Sequence, residues 1–221
     1  MRPLVAFAAA VALALVAGLQ AADAHLIAVG ADGARSMVPL FDGTSFAGWE
    51  GETNRTWRIQ DGALVGGNLE RPVPRNEFLC TTRSYTNFLL RLEFKVLGEG
   101  VNAGIQIRSQ RVPNHHEVSG YQADLGGPEW WGCLYDESRR NRVLAKADPA
   151  DVAAVLKPGD WNEYIIRCEG PRLRLWINGV QTVDYTETDD TIPQHGLIGL
   201  QIHGGPPSEA WYRKLLILEV P

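Results

Sequence analysis

A chain of 221 residues with a formal net charge of −5 suits one domain, or two at most. Its Lys and Arg residues form no run, so nucleic acid and anionic membrane surfaces are poor partners. Its three cysteines, Cys80, Cys133 and Cys168, lack the CxxC or Cys/His spacing of a zinc centre.

The chain opens with Arg2, then an apolar run from Leu4 to Leu19, then Ala22-Asp23-Ala24. Small residues flanking one position fit a signal-peptidase site. The run falls short of the ~20 apolar residues of a spanning helix. The expectation is a cleaved signal peptide over residues 1–24, an N-terminal segment over 25–37 and one domain over 38–221, exported to the periplasm or beyond. Export permits disulfides, but an odd cysteine count leaves two arrangements open: one bridge with one unpaired thiol, or three buried thiols.

From there the chain reads as strands. "NFLLRLEFKV" sets Leu90, Leu92, Phe94 and Val96 on one face and Arg91, Glu93 and Lys95 on the other. "GIQIRS" separates Ile105 and Ile107 from Gln106 and Arg108, and "YQADL" separates Tyr121, Ala123 and Leu125 from Gln122 and Asp124. "DPADVAAVLKPGD" predicts one short helix, with Asp148 as N-cap, Pro149 at the first helical position and Pro158-Gly159 as the stop. "EYIIRCEG" and "RLRLWINGVQTVDY" predict strands and a hairpin at Asn178-Gly179, a dipeptide suited to a type I′ turn. "GLIGLQIHGG" sets Ile198, Leu200 and Ile202 against Gly199, Gln201 and His203, and "RKLLILEV" closes the chain. The fold class is all-β, two packed antiparallel sheets with one short helix.

Residues two apart on a strand share a face. Gln106 with Arg108, Gln122 with Asp124, Gln201 with His203, and Arg91 with Glu93 therefore form four polar pairs, each backed by an apolar row. Solvated strand faces use Thr, Lys and Glu. Three of these pairs use directional donors and acceptors instead, with Gly104 and Gly199 clearing space beside them. A ligand face is the expectation, provided those strands are neighbours. "GGPEWWGCLYDESRR" leaves the sheet at Gly126-Gly127-Pro128 and supplies a wall of Trp130, Trp131, Tyr135, Asp136, Glu137, Arg139 and Arg140. Seven tryptophans fit a sugar ligand, whose apolar ring faces pack on flat aromatics. His115, His116 and Glu117 sit on the preceding loop; adjacent histidines there serve as metal ligands or a base, or simply face solvent.

The order "PLFDGTSFAGWE", "TWRIQDGALVG", "VNAGIQIRS", "GYQADLG…WGCLYDESRR", "GDWNEYIIRCEGPRLRLWINGV", "GLIGLQIHGGPP" resembles the 3-keto-disaccharide hydrolase family, from about Val38 to Val220. The resemblance implies a concanavalin A-like jelly-roll sandwich, bacterial export and action on glycosides oxidised at C3 of a glucosyl unit. A ketone at C3 acidifies the C2 proton; a base removes it, and the enolate expels the C1 substituent, with or without later hydration. Such a site needs a base, an enolate stabiliser and an acid for the leaving oxygen. His203 and then Asp124 are the base candidates. Arg108 is the expected enolate stabiliser, because its charge is permanent and its fork suits an oxyanion. Glu137 or Tyr135 protonates the leaving group. Gln122 and Gln201 orient hydroxyls, Trp131 stacks on a ring, and Gln106 and Glu93 complete the substrate contacts. No spacing demands a cofactor; a divalent metal ion, with Glu93, Asp124 and His203 as candidate ligands, is the alternative to Arg108.

Three rival readings stand beside this one. A non-catalytic carbohydrate-binding module uses the same aromatics and amides with no base. An ordinary glucanase needs two carboxylates ~5–9.5 Å apart, and no E-x-D-x-x-E strand is present. A copper site at an N-terminal His25 has only the cleavage position in its favour.

Overall fold

The computed structural model describes residues 36–221. The expected leader, the cleavage site and His25 lie outside the described residues. Among the described residues the elements run β1 (Val38–Pro39), β2 (Trp49–Glu50), β3 (Trp57–Gln60), β4 (Ala63–Asn68), β5 (Glu77–Thr81), β6 (Phe88–Leu97), β7 (Asn102–Arg111), β8 (Val118–Gly126), α1 (Gly127–Trp130), β9 (Leu134–Glu137), β10 (Val143–Ala145), α2 (Pro149–Ala153), β11 (Asn162–Glu169), β12 (Arg172–Ile177), β13 (Val180–Thr186), β14 (Leu197–Ile202) and β15 (Ser208–Glu219). One sheet has the order β13-β12-β11-β6-β15-β4-β3, with β1 on β15; the second has the order β10-β9-β8-β7-β14-β5-β2. Every pairing is antiparallel.

The alternation read from the sequence decides which side chains meet between the sheets. Phe88, Leu90, Leu92 and Phe94 of β6, with Tyr164, Ile166 and Cys168 of β11, supply one layer of the core. Ile105 and Ile107 of β7, Tyr121, Ala123 and Leu125 of β8, and Ile198, Leu200 and Ile202 of β14 supply the other. Each large aliphatic or aromatic side chain fully buried this way contributes roughly 1.5–3 kcal/mol of transfer free energy. The Tyr212 hydroxyl crosses the core and donates to the Gln201 carbonyl at 2.9 Å, tying β15 to β14. Cys80, Cys133 and Cys168 are all free and buried, so the three-thiol arrangement holds. Burial pushes the Cys80 and Cys168 thiols up to about 11 and about 12, which keeps them protonated and unreactive.

The short helix forms as expected. Asp148 caps α2 by accepting from the Ala150 N–H at 2.9 Å, and Pro149 occupies its first turn. A second short helix, α1, was not expected, and the described residues carry two short helices rather than one. Gly127-Pro128 reads as a strand exit, but proline also suits a first helical turn, and α1 uses it there.

The β12–β13 hairpin turns on Asn178 and Gly179, with φ of 48° and 85°. Both angles are left-handed, as type I′ requires. The Asn178 side chain also donates to the Val155 carbonyl at 2.8 Å and accepts from the Glu163 N–H at 2.8 Å, so the turn anchors α2's end to β11. Asn178→Gly keeps the backbone conformation and loses only those bonds and the one its amide donates to Asn162 Oδ1 at 2.7 Å. Asn178→Ala loses the same bonds and strains the left-handed backbone as well, at an added cost of about 1 kcal/mol. Urea melts should rank stability wild type, then glycine, then alanine.

Candidate functional site

Neighbouring strands β9, β8, β7 and β14 bring the polar rows together on the face of the second sheet turned away from the core. Gln106 lies opposite Gln122, Gly104 opposite Asp124 and Gln201, and Tyr135 opposite Gln122. Gly104 makes this possible: a Cβ there would meet Gln122 Cγ at 2.6 Å, so the Gln122 side chain lies across the glycine. Gly199 likewise leaves room for Cys80 Sγ and Gln106 Cβ. Phe78, Cys80 and Val118 form a small apolar cluster on the same face.

Four side chains form a directed chain of hydrogen bonds. Ser109 Oγ donates to Gln106 Oε1 at 2.7 Å, Gln106 Nε2 donates to Gln122 Oε1, and the Gln122 amide donates to the Asp124 carboxylate. Asp124 is only 3% exposed. Burial pushes its pKa up to about 7, against the opposing pull of Gln122 and the Leu125 N–H, and the Glu137 charge adds to the rise.

Glu137, on β9, accepts from Gln201 Nε2 at 3.3 Å. Burial and then the Glu117 charge hold its carboxyl above the ordinary range, while His203 pulls it down. His203 follows β14 and is half-buried. Its Nδ1 lies 2.6 Å from the Gly204 carbonyl. A ring nitrogen facing a carbonyl carries the proton, so in the neutral ring Nε2 holds the lone pair. The Gln201 Oε1, Asn102 Oδ1 and Glu117 Oε2 atoms are buried without a partner among the described residues. These acceptors suit hydroxyl donors from a ligand. The Pro113–Glu117 loop is held at this site: Asn76 donates to Glu117 at 3.3 Å and accepts from the Gly204 N–H at 3.0 Å.

Asp124, Glu137, Gln106, Gln122, Gln201, Tyr135 and His203 thus share one surface. Arg108 does not join them. It stands at a bulge between Ile107 and Gln110, with a left-handed φ of 50°. The extra residue turns its side chain inward. There Nε donates to the Thr86 carbonyl at 2.7 Å, Nη1 to the Gly170 carbonyl at 2.6 Å and Nη2 to Asn87 Oδ1 at 3.1 Å. Arg108 ties the two sheets together rather than stabilising an enolate, and Ser109 takes its place on the polar face.

Glu93 is also displaced. It lies on β6, in the other sheet, where Arg213 and Lys214 each bind it at 2.7 Å. The expected metal set of Glu93, Asp124 and His203 is therefore not assembled, and Glu93 does not lie on the polar face expected to hold the substrate. Trp131 turns toward the core and stacks on Phe94, with ring centroids 6.2 Å apart. The tryptophan beside the polar face is Trp130, 41% exposed and edge-on to Tyr135 at 5.8 Å. Asp136, Arg139 and Arg140 do not extend the wall either. Strand alternation sends Asp136 to the side opposite Tyr135 and Glu137, where it binds both arginines, and Arg140 continues to Glu187 at 2.6 Å.

Residues 36–218 match the 3-keto-alpha-glucoside-1,2-lyase-like domain. No curated protein matches the chain. Among solved structures, a provisionally assigned glycosyl hydrolase from Parabacteroides distasonis is similar at a TM-score of 0.63 and 18% identity, covering 84% of this chain and 94% of that one. The carbohydrate-binding module CBM66 from Bacillus subtilis reaches 0.58 at 14% identity, covering 76% and 93%. A Bacillus licheniformis β-glucanase reaches 0.52 at 10% identity, covering 86% and 100%. These likenesses establish the jelly-roll sandwich shared by glycosyl hydrolase-like and carbohydrate-binding proteins.

Two measurements test this site. The native state holds the Asp124 proton more tightly than the unfolded chain does, so its contribution to stability is full below pH ~4 and falls as pH rises toward 7. Relative to wild type, Asp124→Asn should gain on the order of 4 kcal/mol between pH 4 and 8; parallel stability curves would contradict the assignment. Arg108→Lys should lower stability by about 2 kcal/mol in urea melts while leaving sugar binding unchanged, because its lost partners are structural.

Proposed function

The chain belongs to the 3-keto-alpha-glucoside-1,2-lyase-like family, and from that premise we propose that it is an exported enzyme cleaving glycosides oxidised at C3 of a glucosyl unit. The observation that carries this reading is the convergence of Asp124, Glu137, Gln201 and His203 on one face, together with buried acceptors that have no partner among the described residues.

His203 Nε2 removes the C2 proton. The electron pair left behind delocalises onto the C3 oxygen. It then forms the C1–C2 double bond as the C1–O bond breaks. Glu137, whose raised pKa favours the protonated form, delivers a proton to the departing oxygen. With Arg108 committed elsewhere, the enolate donor is the protonated Asp124 carboxyl, a neutral acid maintained near neutral pH by burial. Gln122 fixes the orientation of that carboxyl. Gln201 orients a ring hydroxyl, Gln106 supports Gln122 from behind, and Trp130 offers an apolar face to a sugar ring. Addition of water to the unsaturated product gives net hydrolysis; release without it gives a lyase.

The second reading is a binding module on the same face, favoured by the density of amide side chains and needing no base. Incubation with a 3-keto-glucoside separates the two: release of the free leaving group supports the enzyme, and saturable binding without release supports the module. His203→Ala should lower kcat about 10²–10⁴-fold with the fold intact. Because Asp124 acts in its protonated form, kcat should fall above pH about 7 in the wild type. Asp124→Asn, still a donor, should lack that alkaline limb; an unchanged limb would remove Asp124 from the role.

A further inference from the structure

A cavity of about 650 Å³ lies between the segment that leads into β3, the end of β4, and the Arg71–Arg75 loop that leads into β5. Three arginines line it, Arg55, Arg71 and Arg75. Arg75 binds Glu77 at 2.7 Å. Arg55 and Arg71 are exposed and make no ion pair among the described residues. Glu52 and Glu77 line it too; with Arg75 held by Glu77, the two unpaired guanidinium groups still outnumber the remaining Glu52 carboxylate, a local excess of positive charge in a chain of net charge −5. The Asn54 and Asn68 amides add neutral hydrogen-bonding groups, and the Pro72-Val73-Pro74 stretch gives the lining a flat apolar side.

The cavity shares a wall with the catalytic face. Val73 and Gly205 exchange backbone hydrogen bonds at 3.0 and 2.9 Å. The Gly204 N–H is held by Asn76, and a Cβ on Gly204 would meet Arg75 Cα at 2.7 Å. The backbone segment carrying His203 therefore lies directly against the segment carrying Arg71 and Arg75.

We infer that this cavity receives the leaving group of the glycoside, and that the preferred leaving group is a ring bearing a carboxylate, with Arg55 and Arg71 as its partners. Guanidinium forks match a carboxylate in two-point geometry, which a neutral ring cannot exploit. The proline-rich wall takes the ring itself. The inference rests on reading the adjacent face as a glycoside-cleaving site, and it adds the chemistry of the group released.

The test pairs each carboxylate with a neutral counterpart. Binding of 4-hydroxybenzoate is compared with 4-hydroxybenzyl alcohol, and D-glucuronate with D-glucose, by calorimetry or ligand-observed NMR. The measurements use wild type, Arg55→Gln/Arg71→Gln and His203→Ala. In wild type and His203→Ala, the acid of at least one pair should bind about tenfold tighter than its neutral counterpart. The pair showing this identifies the source as an aromatic acid or a uronic acid. The double variant should lose the preference while keeping its fold, since both arginines are exposed. Turnover of 3-keto-glucosides carrying the corresponding leaving groups should show about a tenfold lower KM for the charged one. Equal binding within both pairs, a preference that survives the double substitution, or equal KM values would overturn the inference. If no 3-keto-glucoside is turned over while the binding preference stands and depends on the arginines, the cleavage reading fails and the carboxylate site remains.

Discussion

The site depends on a buried line of hydrogen bonds, Ser109 to Gln106 to Gln122 to Asp124, laid across adjacent strands of one sheet. Every member spends its hydrogen-bonding capacity on the next, so amides that would be costly to bury are satisfied. The line ends on a carboxyl that burial keeps protonated to near neutrality. A side chain at Gly104 would displace Gln122, and one at Gly199 would displace Cys80 first and crowd Gln106, because those neighbours occupy the space the glycines leave.

The same sheet separates structure from chemistry by a simple device. On β9, Tyr135 and Glu137 face the site, while Asp136 between them faces a cluster with Arg139, Arg140 and Glu187. On β7, a single left-handed residue reverses the expected direction of Arg108 and hands its outward position to Ser109. A permanent cation is thereby spent on Thr86, Asn87 and Gly170. A site with Asp124, Glu137 and Glu117 close together is then acidic; burial raises the pKa values of Asp124 and Glu137, and the Glu137 charge adds to the first and the Glu117 charge to the second. That environment favours neutral carboxylic acids, which donate protons and hydrogen bonds.

Family membership and fold agree on the kind of ligand. The family to which the chain belongs is described by cleavage chemistry on 3-keto-glucosides, and the sandwich is shared with glucanases and carbohydrate-binding modules. The fold therefore does not choose between catalysis and binding; the choice rests on side chains at the site. In the proposed mechanism, the pairing of the half-buried His203 with the shielded Glu137 acid is the feature a binding module has no need of.

Period-two alternation was legible in the chain and it placed Gln106, Gln122, Asp124, Gln201 and His203 opposite the apolar rows, because neighbouring residues alone decide which side of a strand a side chain takes. The Asn178-Gly179 turn and the Asp148 cap were legible for the same local reason. The partners of each strand were not, since pairing is settled by residues distant in the chain: Glu93 carries the right pattern but lies in the other sheet, against Arg213 and Lys214. The bulge at Arg108 was equally hidden, because it exists only where β7 must match both β8 and β14. Of the two tryptophans expected in the wall, Trp131 turns to the core and only Trp130 stays beside the face, because α1 carries the chain out of the strand and two-residue alternation no longer applies. Local order thus determined the faces, and tertiary pairing decided which of them meet.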